Sequence, residues 1–560
     1  MALETQPMPA RRPGRVSTRG RLMAGLIAGT TDAVRPASRE ETMPVGLAAL
    51  ALGFIALWIS SIHGYMLMYG DAVAHLGTAR RIVDSRNPGL QQLGGVWLPL
   101  PHLLMTPFIG RMEWWQTGMA GAWPSLLCYI LGVMGFYRLC RRMMTGRWSL
   151  IATGFYATNP NLLYLATTAM TEPLFLALLI WIVLLTLECI AALKAGAEKL
   201  VARRFVFLGI LNLFAVMTRY DGWILAAAVW LVLAIQLARS GQFSRYTRSF
   251  ATFTLLTVAG PLAWFWYNQH YFHDWLDFMR GPYSAVAIDR KTSPPGSQHY
   301  WGWHHPFKAL VFYTRTAQVD AVWWELGFAA MVAAVAGLYR TLRDKVEMGS
   351  LLLWLPLPFY VYSVSYGSVP IFIPQLYPHA YYNSRYGMEM LPALALFGVF
   401  AVEWLQERFN LAQPLVARLM PPLAMGFIAL NAIGMIHATP LVLKEAMVNS
   451  ITRMAFERSL ADQLVALPPA VPILMQESDH IGALQQAGIP LRRTINETDW
   501  DSWSAALADP AGKAAFVIAF TDGPVAKAVK DHPGGLTETM VLCTQGQTCA
   551  RIYKSDKYGK

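Results

Sequence analysis

Long apolar runs separated by short polar stretches fill most of the first 440 residues, and the runs are continuous instead of alternating. A hydrocarbon core about 30 Å thick needs roughly 20 apolar residues of helix, because only a helix or a closed barrel satisfies its own backbone hydrogen bonds there. The runs are longer than the ten or so residues of a membrane strand, so the pattern predicts helices and not a barrel. It places them near 45–64, 119–138, 149–166, 173–193, 205–218, 222–238, 250–270, 320–338, 350–367, 387–405 and 421–438. The fold class is therefore a polytopic α-helical membrane protein of about eleven spans.

Two regions break the pattern. Trp97 to Phe108 is apolar but short and interrupted by Pro99, Pro101 and Pro107, which predicts a segment lying along the interface or re-entering it. After Pro440 the hydropathy falls. Strand-like runs at Val471–Met475, Ala514–Phe520, Thr539–Cys543 and Ala550–Tyr553 alternate with helical patterns at His480–Ala487 and Trp503–Ala508, which predicts a small α/β domain over 441–560. It carries no Gly-rich phosphate fingerprint. No internal repeat is evident.

Charge sets the orientation. Of the residues 55% are hydrophobic and 14% charged, with a net charge of +12, and the cations lie in short loops without the interleaved aromatic platform that binds bases, which argues against nucleic acid. The tail of residues 1–44 carries Arg11, Arg12, Arg15, Arg19, Arg21, Arg35 and Arg39 ahead of the first span and no small-residue cleavage site follows, so it reads as the cytoplasmic side of an uncleaved signal anchor. The loops around Arg138–Arg147, Lys194–Arg204, Arg239–Arg248 and Arg340–Lys345 then fall inside. Loops 66–118, 271–319 and 368–386 are long and rich in Trp, Tyr, His and Pro and fall outside, together with 441–560, which in a bacterium is the periplasm.

The candidate chemistry lies on that outer side. Asp71 stands just past the first span, four residues before His75, so the two share a helix face, and an acid there serves either as a general base or as a helix cap. Glu172, in Thr171-Glu172-Pro173, and Arg219 and Asp221, in Arg219-Tyr220-Asp221-Gly222, occupy two further outer turns, where ordinary helix-start chemistry or mutual pairing is the alternative to a site. Asp71, His75, His102, Glu172 and Asp221 could hold a divalent metal, although none shows a compact ligand spacing. Arg385 sits among Tyr381, Tyr382 and Tyr386 before a late helix, a place that suits a lipid phosphate or, alternatively, an arginine anchored among headgroups. Cys543 and Cys549 flank a five-residue turn on the oxidising side, so a hairpin disulfide and two free thiols are both open. Cys128, Cys140 and Cys189 read as packing residues.

Four features in order carry a resemblance: Asp71 just after the first span, the amphipathic outer loop Ala72–Arg111, the Thr171–Pro173 turn, and Arg385-Tyr386 followed by Leu391-Pro392. Together they resemble the GT-C superfamily of membrane glycosyltransferases, in the branch of the protein O-mannosyltransferases and lipid A aminoarabinose transferase, over most of residues 45–440. The oligosaccharyltransferase members fit less well, since neither Trp114-Trp115 nor Trp323-Trp324 is followed by Asp. The resemblance implies an inverting glycosyltransferase of the bacterial inner membrane that takes a sugar from a polyprenyl-phosphate donor to a glycan, lipid or protein acceptor. It assigns Asp71 as the base toward the acceptor and Arg385 as the donor-phosphate group; beside them, the reading of the residues themselves adds Tyr382 to the phosphate side and has His75, His102, Glu172, Arg219 and Asp221 support substrates or an ion. The competing class is a transporter or flippase for a lipid or anionic substrate, against which stands the clustering of charges at one face.

Overall fold

The computed structural model describes residues 33–293 and 298–559, so Arg11, Arg12, Arg15, Arg19 and Arg21 lie outside the described residues. The chain is polytopic and helical, with α1 (Arg39–Ile62), α2 (Gly70–Asp84), α3 (Leu100–Ile109), α4 (Met119–Cys140), α5 (Gly146–Ala157), α6 (Pro160–Leu165), α7 (Glu172–Lys194), α8 (Glu198–Val216), α9 (Asp221–Arg239) and α10 (Phe243–Phe272). There follow α11 (Pro306–Ala321), α12 (Leu326–Asp344), α13 (Pro356–Tyr366), α14 (Leu391–Ala412), α15 (Pro414–His437) and α16 (Leu441–Val465). Among the described residues, nine helical stretches are long and apolar enough to cross a membrane.

Where the spans differ from the hydropathy reading, local chemistry explains the difference. The segment expected as one helix over 149–166 is broken into α5 and α6, because Pro160 cannot continue the helix before it, and the Asn159 side chain caps the new one by accepting from the Asn161 and Leu162 amides. The run expected at 205–218 is the end of α8, whose first two turns hold Glu198, Lys199, Arg203 and Arg204. The run expected at 320–338 begins later: Arg315 pairs with Glu325 at 2.7 Å and Gln318 donates to the Trp324 carbonyl at 2.6 Å, fixing a turn between α11 and α12. Helix α1 starts early, at Arg39, since Ser38 and Glu41 form a reciprocal capping box. The Pro-broken stretch near Trp97 becomes the short apolar helix α3.

Packing separates a lipid face from a protein interior. Leu47, Phe54, Ile55, Trp58 and Ile62 of α1 and Leu415, Leu419, Leu423, Leu430 and Ile433 of α15 are exposed, an apolar surface that only hydrocarbon solvates without penalty. Helix α7 is apolar and buried nearly all round, packed against α4 and α8, and so forms the axis of the bundle.

The C-terminal part holds one five-stranded sheet in the order β2-β1-β3-β5-β4, with β1 (Ile473–Met475), β2 (Thr494–Ile495) and β3 (Phe516–Phe520) parallel and β4 (Leu536–Leu542) and β5 (Ala550–Ser555) antiparallel. Helices α17 (Ile481–Ala487), α18 (Asp501–Ala508) and α19 (Pro524–Asp531) connect them. Successive strand residues point to opposite faces. Leu474, Ile495, Val517 and Ala519 pack with Val525 and Val529 of α19, whereas Ile473, Met475, Ile518, Phe520 and Ile552 join the same core as Phe456, Leu460 and Leu464 of α16. One hydrophobic core therefore runs from the membrane helices through α16 to the sheet. The turn before β5 is closed by a disulfide between Cys543 and Cys549, while Cys128, Cys140 and Cys189 are free and buried.

Candidate active site

The starts of three helices meet at one end of the bundle, and each carries a carboxylate in its first turn: Asp71 on α2, Glu172 on α7 and Asp221 on α9. Acids there are favoured by the unsatisfied amides and dipole of the helix start. Facing them is the tight helical turn Ser384–Met390 that leads into α14 and presents Arg385 and Glu389.

The groups form one network. Arg385 donates through Nη2 to Asp71 Oδ2 at 2.6 Å and through Nε to Glu172 Oε1 at 3.1 Å. Arg219 donates to the same Glu172 oxygen at 3.1 Å, to Thr171 Oγ1 at 2.7 Å, to Asp221 Oδ2 at 3.1 Å and to the Tyr360 hydroxyl at 2.7 Å, and it lies 3.0 Å from Glu389 Oε1. Tyr360 in turn donates to Glu389 Oε1 at 2.6 Å. The Tyr386 ring packs against both guanidinium groups, 4.8 Å from Arg385 and 5.2 Å from Arg219, with Tyr69 against Arg385 at 5.1 Å. Glu172, fully buried, thus holds two arginines side by side from behind. Such buried charges persist only when paired and hydrogen-bonded.

The arginines front a cavity of about 860 Å³, within the size range of a small-molecule site. Its polar end holds Asp71, Thr171, Arg219, Asp221 and Arg385, and its walls hold Trp97, Tyr283, Tyr300, Trp301, Tyr377 and Tyr382. Asp71 is the half-open member of the cluster, its side chain 43% exposed against 7% for Arg385. His75 also lines the cavity, while His102 stands behind it with Nε2 2.8 Å from His75 Nδ1, and the Trp97 ring packs tilted against His75, centroids 4.1 Å apart. Burial, then the neighbouring Arg385 and Arg219, push His75 down to about 3, and burial and His75 lower His102, so both imidazoles are neutral and one donates to the other.

Of the residues expected from the sequence, Asp71, Glu172, Arg219, Asp221 and Arg385 are brought into direct contact. His75 adjoins them, and Tyr382 is on the cavity wall, its backbone bridged to Phe372. Asp71 and Arg385, given different roles from the sequence, form a direct ion pair. The donors do not suit a metal: among the described residues no three or more His, Cys, Asp or Glu side chains are grouped to hold one, His75 and His102 bond each other, and Asp71, Glu172 and Asp221 are committed to guanidinium groups.

Three members were missed. Glu389 had a signal, its spacing of four from Arg385. Tyr360 lies inside an apolar run and had none. Glu445 lies beyond the expected membrane domain; it accepts from the Asn383 and Ser384 amides at 2.9 and 2.8 Å and from the Ser384 hydroxyl, and lies 3.8 Å from Arg385 Nη1.

No protein-family model matches the chain. In overall shape it is similar to ArnT from Cupriavidus metallidurans bound to undecaprenyl phosphate, with a TM-score of 0.57 at 13% identity over 92% of this chain and 99% of that one. The chain has the fold of that ArnT. The apo state of the same ArnT aligns with a TM-score of 0.51 at 14% identity, over 90% of this chain and 98% of that one. In sequence, the chain is 22% identical over 369 residues to the undecaprenyl phosphate-alpha-4-amino-4-deoxy-L-arabinose arabinosyl transferase 2 of Proteus mirabilis, a match spanning 62% of this chain and 60% of that protein. The GT-C resemblance read from Asp71, the Thr171–Pro173 turn and Arg385 agrees with this fold.

Proposed function

We propose that the chain is an inverting glycosyltransferase that moves a sugar from a polyprenyl-phosphate donor to a hydroxyl or amine on an acceptor. The reading rests above all on the direct pairing of Asp71 with Arg385, beside Arg219, at the polar end of an aromatic-walled cavity. A donor phosphodiester entering that end takes Arg385 Nη2 as its own hydrogen-bond donor, and the displaced Asp71 becomes free to act as a base. Asp71 then removes the acceptor proton, the acceptor atom bonds to the anomeric carbon, and the bond from that carbon to the phosphate oxygen breaks with its electron pair. One displacement gives inversion. The lipid monophosphate gains a negative charge as it leaves, and the two guanidinium groups held by Glu172 face that charge in a partly desolvated site, where preorganised donors are most effective. The relatives named for undecaprenyl-phosphate chemistry favour the same donor class.

The site end of the bundle is the periplasmic side of a bacterial inner membrane in this proposal, with the N-terminus inside, because the short basic loops lie at the other end. A reporter fused after Pro440 is expected to be active only outside the cytoplasm; activity inside would reverse the orientation. The test of function is transfer itself. Purified protein in nanodiscs with labelled polyprenyl-phosphate sugars should release polyprenyl phosphate in an acceptor-dependent way. Movement of intact donor across a bilayer without cleavage would favour the flippase instead.

A further inference from the structure

Helix α16 contributes nothing to the cavity wall, yet it touches both halves of the site. At its start, buried Glu445 holds the Asn383 and Ser384 amides next to Arg385, and one turn later Asn449 donates to the Tyr381 carbonyl at 3.1 Å. Further along, Arg453 donates through Nη2 to the carbonyls of Leu67 and Met68, at 2.9 and 3.0 Å, on the turn that leads into Asp71. Glu457 fixes Arg453 with two bonds, at 2.9 and 2.7 Å, and Gln486 of α17 donates to Glu457 at 3.2 Å. Glu445 and Arg453 are eight residues apart, about 12 Å along the helix and within roughly a quarter-turn around it. Phe456 and Leu460, on the same helix, belong to the core shared with β3.

We infer that α16 is a bracket that sets the separation of Asp71 from Arg385, with Arg453 a positioning residue for the base side and Glu445 for the phosphate side, and that the C-terminal sheet serves to hold this bracket still. This rests on the proposed transfer reaction for its kinetic consequences but not for its structural ones. Neither residue lines the cavity: Arg453 acts through the Leu67 and Met68 carbonyls, and Glu445 acts through the Asn383 and Ser384 amides and through its carboxylate, 3.8 Å from Arg385 Nη1. The two sides of the bracket should then fail differently. Loosening the turn before Asp71 misplaces the base and lowers kcat, while loosening Asn383–Ser384 misplaces the phosphate group and raises donor KM.

The test uses the full-length protein in nanodiscs. For Arg453→Gln the expected result is a fall in kcat of about tenfold with donor KM within about twofold, partial rescue by Arg453→Lys, and faster amide exchange confined to residues 65–73. For Glu445→Gln the expected result is a rise in donor KM of about tenfold and faster exchange confined to 381–386. Unchanged exchange at 65–73 in Arg453→Gln, or a uniform rise across the bundle and sheet, overturns the bracket whatever the activity. Wild-type kinetics in both variants, while Asp71→Asn is inactive, overturns it and leaves the transfer reaction standing. Failure of the wild type to use any polyprenyl-phosphate sugar removes the reaction, and the exchange pattern then decides the bracket alone.

Discussion

Both ends of the helix bundle are rich in arginine and glutamate, but they use them differently. At the basic end most pairs are simple and partly wet: Glu188 lies between Arg138, at 3.2 Å, and Arg204, and Arg142 meets Glu347 at 2.6 Å, while the buried Arg141 lies 3.9 Å from Glu41. The Arg138 and Arg204 side chains keep 34% and 21% of their exposure. At the other end two arginines share Asp71, Glu172, Asp221 and Glu389, and Glu172 and Glu389 are wholly buried. Water-exposed pairs contribute little to stability, and buried ones often cost more to desolvate than they return. A bundle seeking only stability has no reason to sink three carboxylates, Glu172, Asp221 and Glu389, beside two guanidiniums. The difference separates an end whose ion pairs fasten loops from an end whose ion pairs form one shared, buried network.

Breaking the site end should therefore cost function first. Arg385→Ala is expected to nearly abolish turnover. Arg385→Lys should also do badly, raising donor KM and lowering kcat, because an ammonium cannot replace the fork that reaches Asp71 and Glu172 at once. Steady-state kinetics against donor concentration checks this, and full activity of the lysine variant would make Arg385 an interfacial anchor. Asp71→Asn keeps the shape and the hydrogen bond from Arg385 but loses basicity, so turnover should fall by roughly 10²-fold or more while donor still binds. Near-normal turnover there would remove Asp71 from the role of base.

A matched pair of charge removals sharpens the contrast. Glu172→Gln leaves two buried guanidinium groups without their shared carboxylate and is expected to lower stability by about 3–5 kcal/mol and to weaken undecaprenyl-phosphate binding. Glu188→Gln at the basic end should leave donor binding unchanged. Thermal melting and lipid titration of both variants test the contrast, and equal losses of lipid binding would dissolve it.

The smallest expected effect lies in the C-terminal domain. Burial pushes Glu477 up to about 8, above its unfolded value, so the folded state retains a proton that the unfolded state has released. Stability from this group is complete below the unfolded value and is lost as pH rises through 8. Asp499, pushed up to about 6 by burial, and His480, pushed down to about 4, act below pH 6.5 and with opposite signs there. Between pH 6.5 and 8 the Glu477 slope stands alone among the three, and unfolding of the sheet should become easier by about 1–2 kcal/mol. Amide exchange of β1 and β3 in the intact protein at the two pH values measures it, and Glu477→Gln should flatten the difference.

Hydropathy alone was enough to locate most of the long apolar helices, the short apolar segment at Leu100–Ile109 and four of the five strands, because each depends on the solvent preference of a contiguous run. It misjudged α5 and α6, where Asn159-Pro160 ends one helix and caps the next, and it overlooked the two-residue strand at Thr494–Ile495, too short to leave a pattern. Asp71, Glu172, Arg219, Asp221 and Arg385 were legible because charge in an outer turn beside an apolar run is conspicuous in one dimension. Their pairing was not. Arg385 meets Asp71 across 314 positions and Glu172 across 213, and Arg453 reaches Met68 across 385, distances over which no local pattern carries information. The sequence by itself determined which segments enter the bilayer and which polar groups are left at its edge, since that follows from transfer free energy residue by residue. Only the tertiary structure decided that the arginines share one glutamate and that a helix counted with the outer domain holds the site, because packing chooses which helix ends meet.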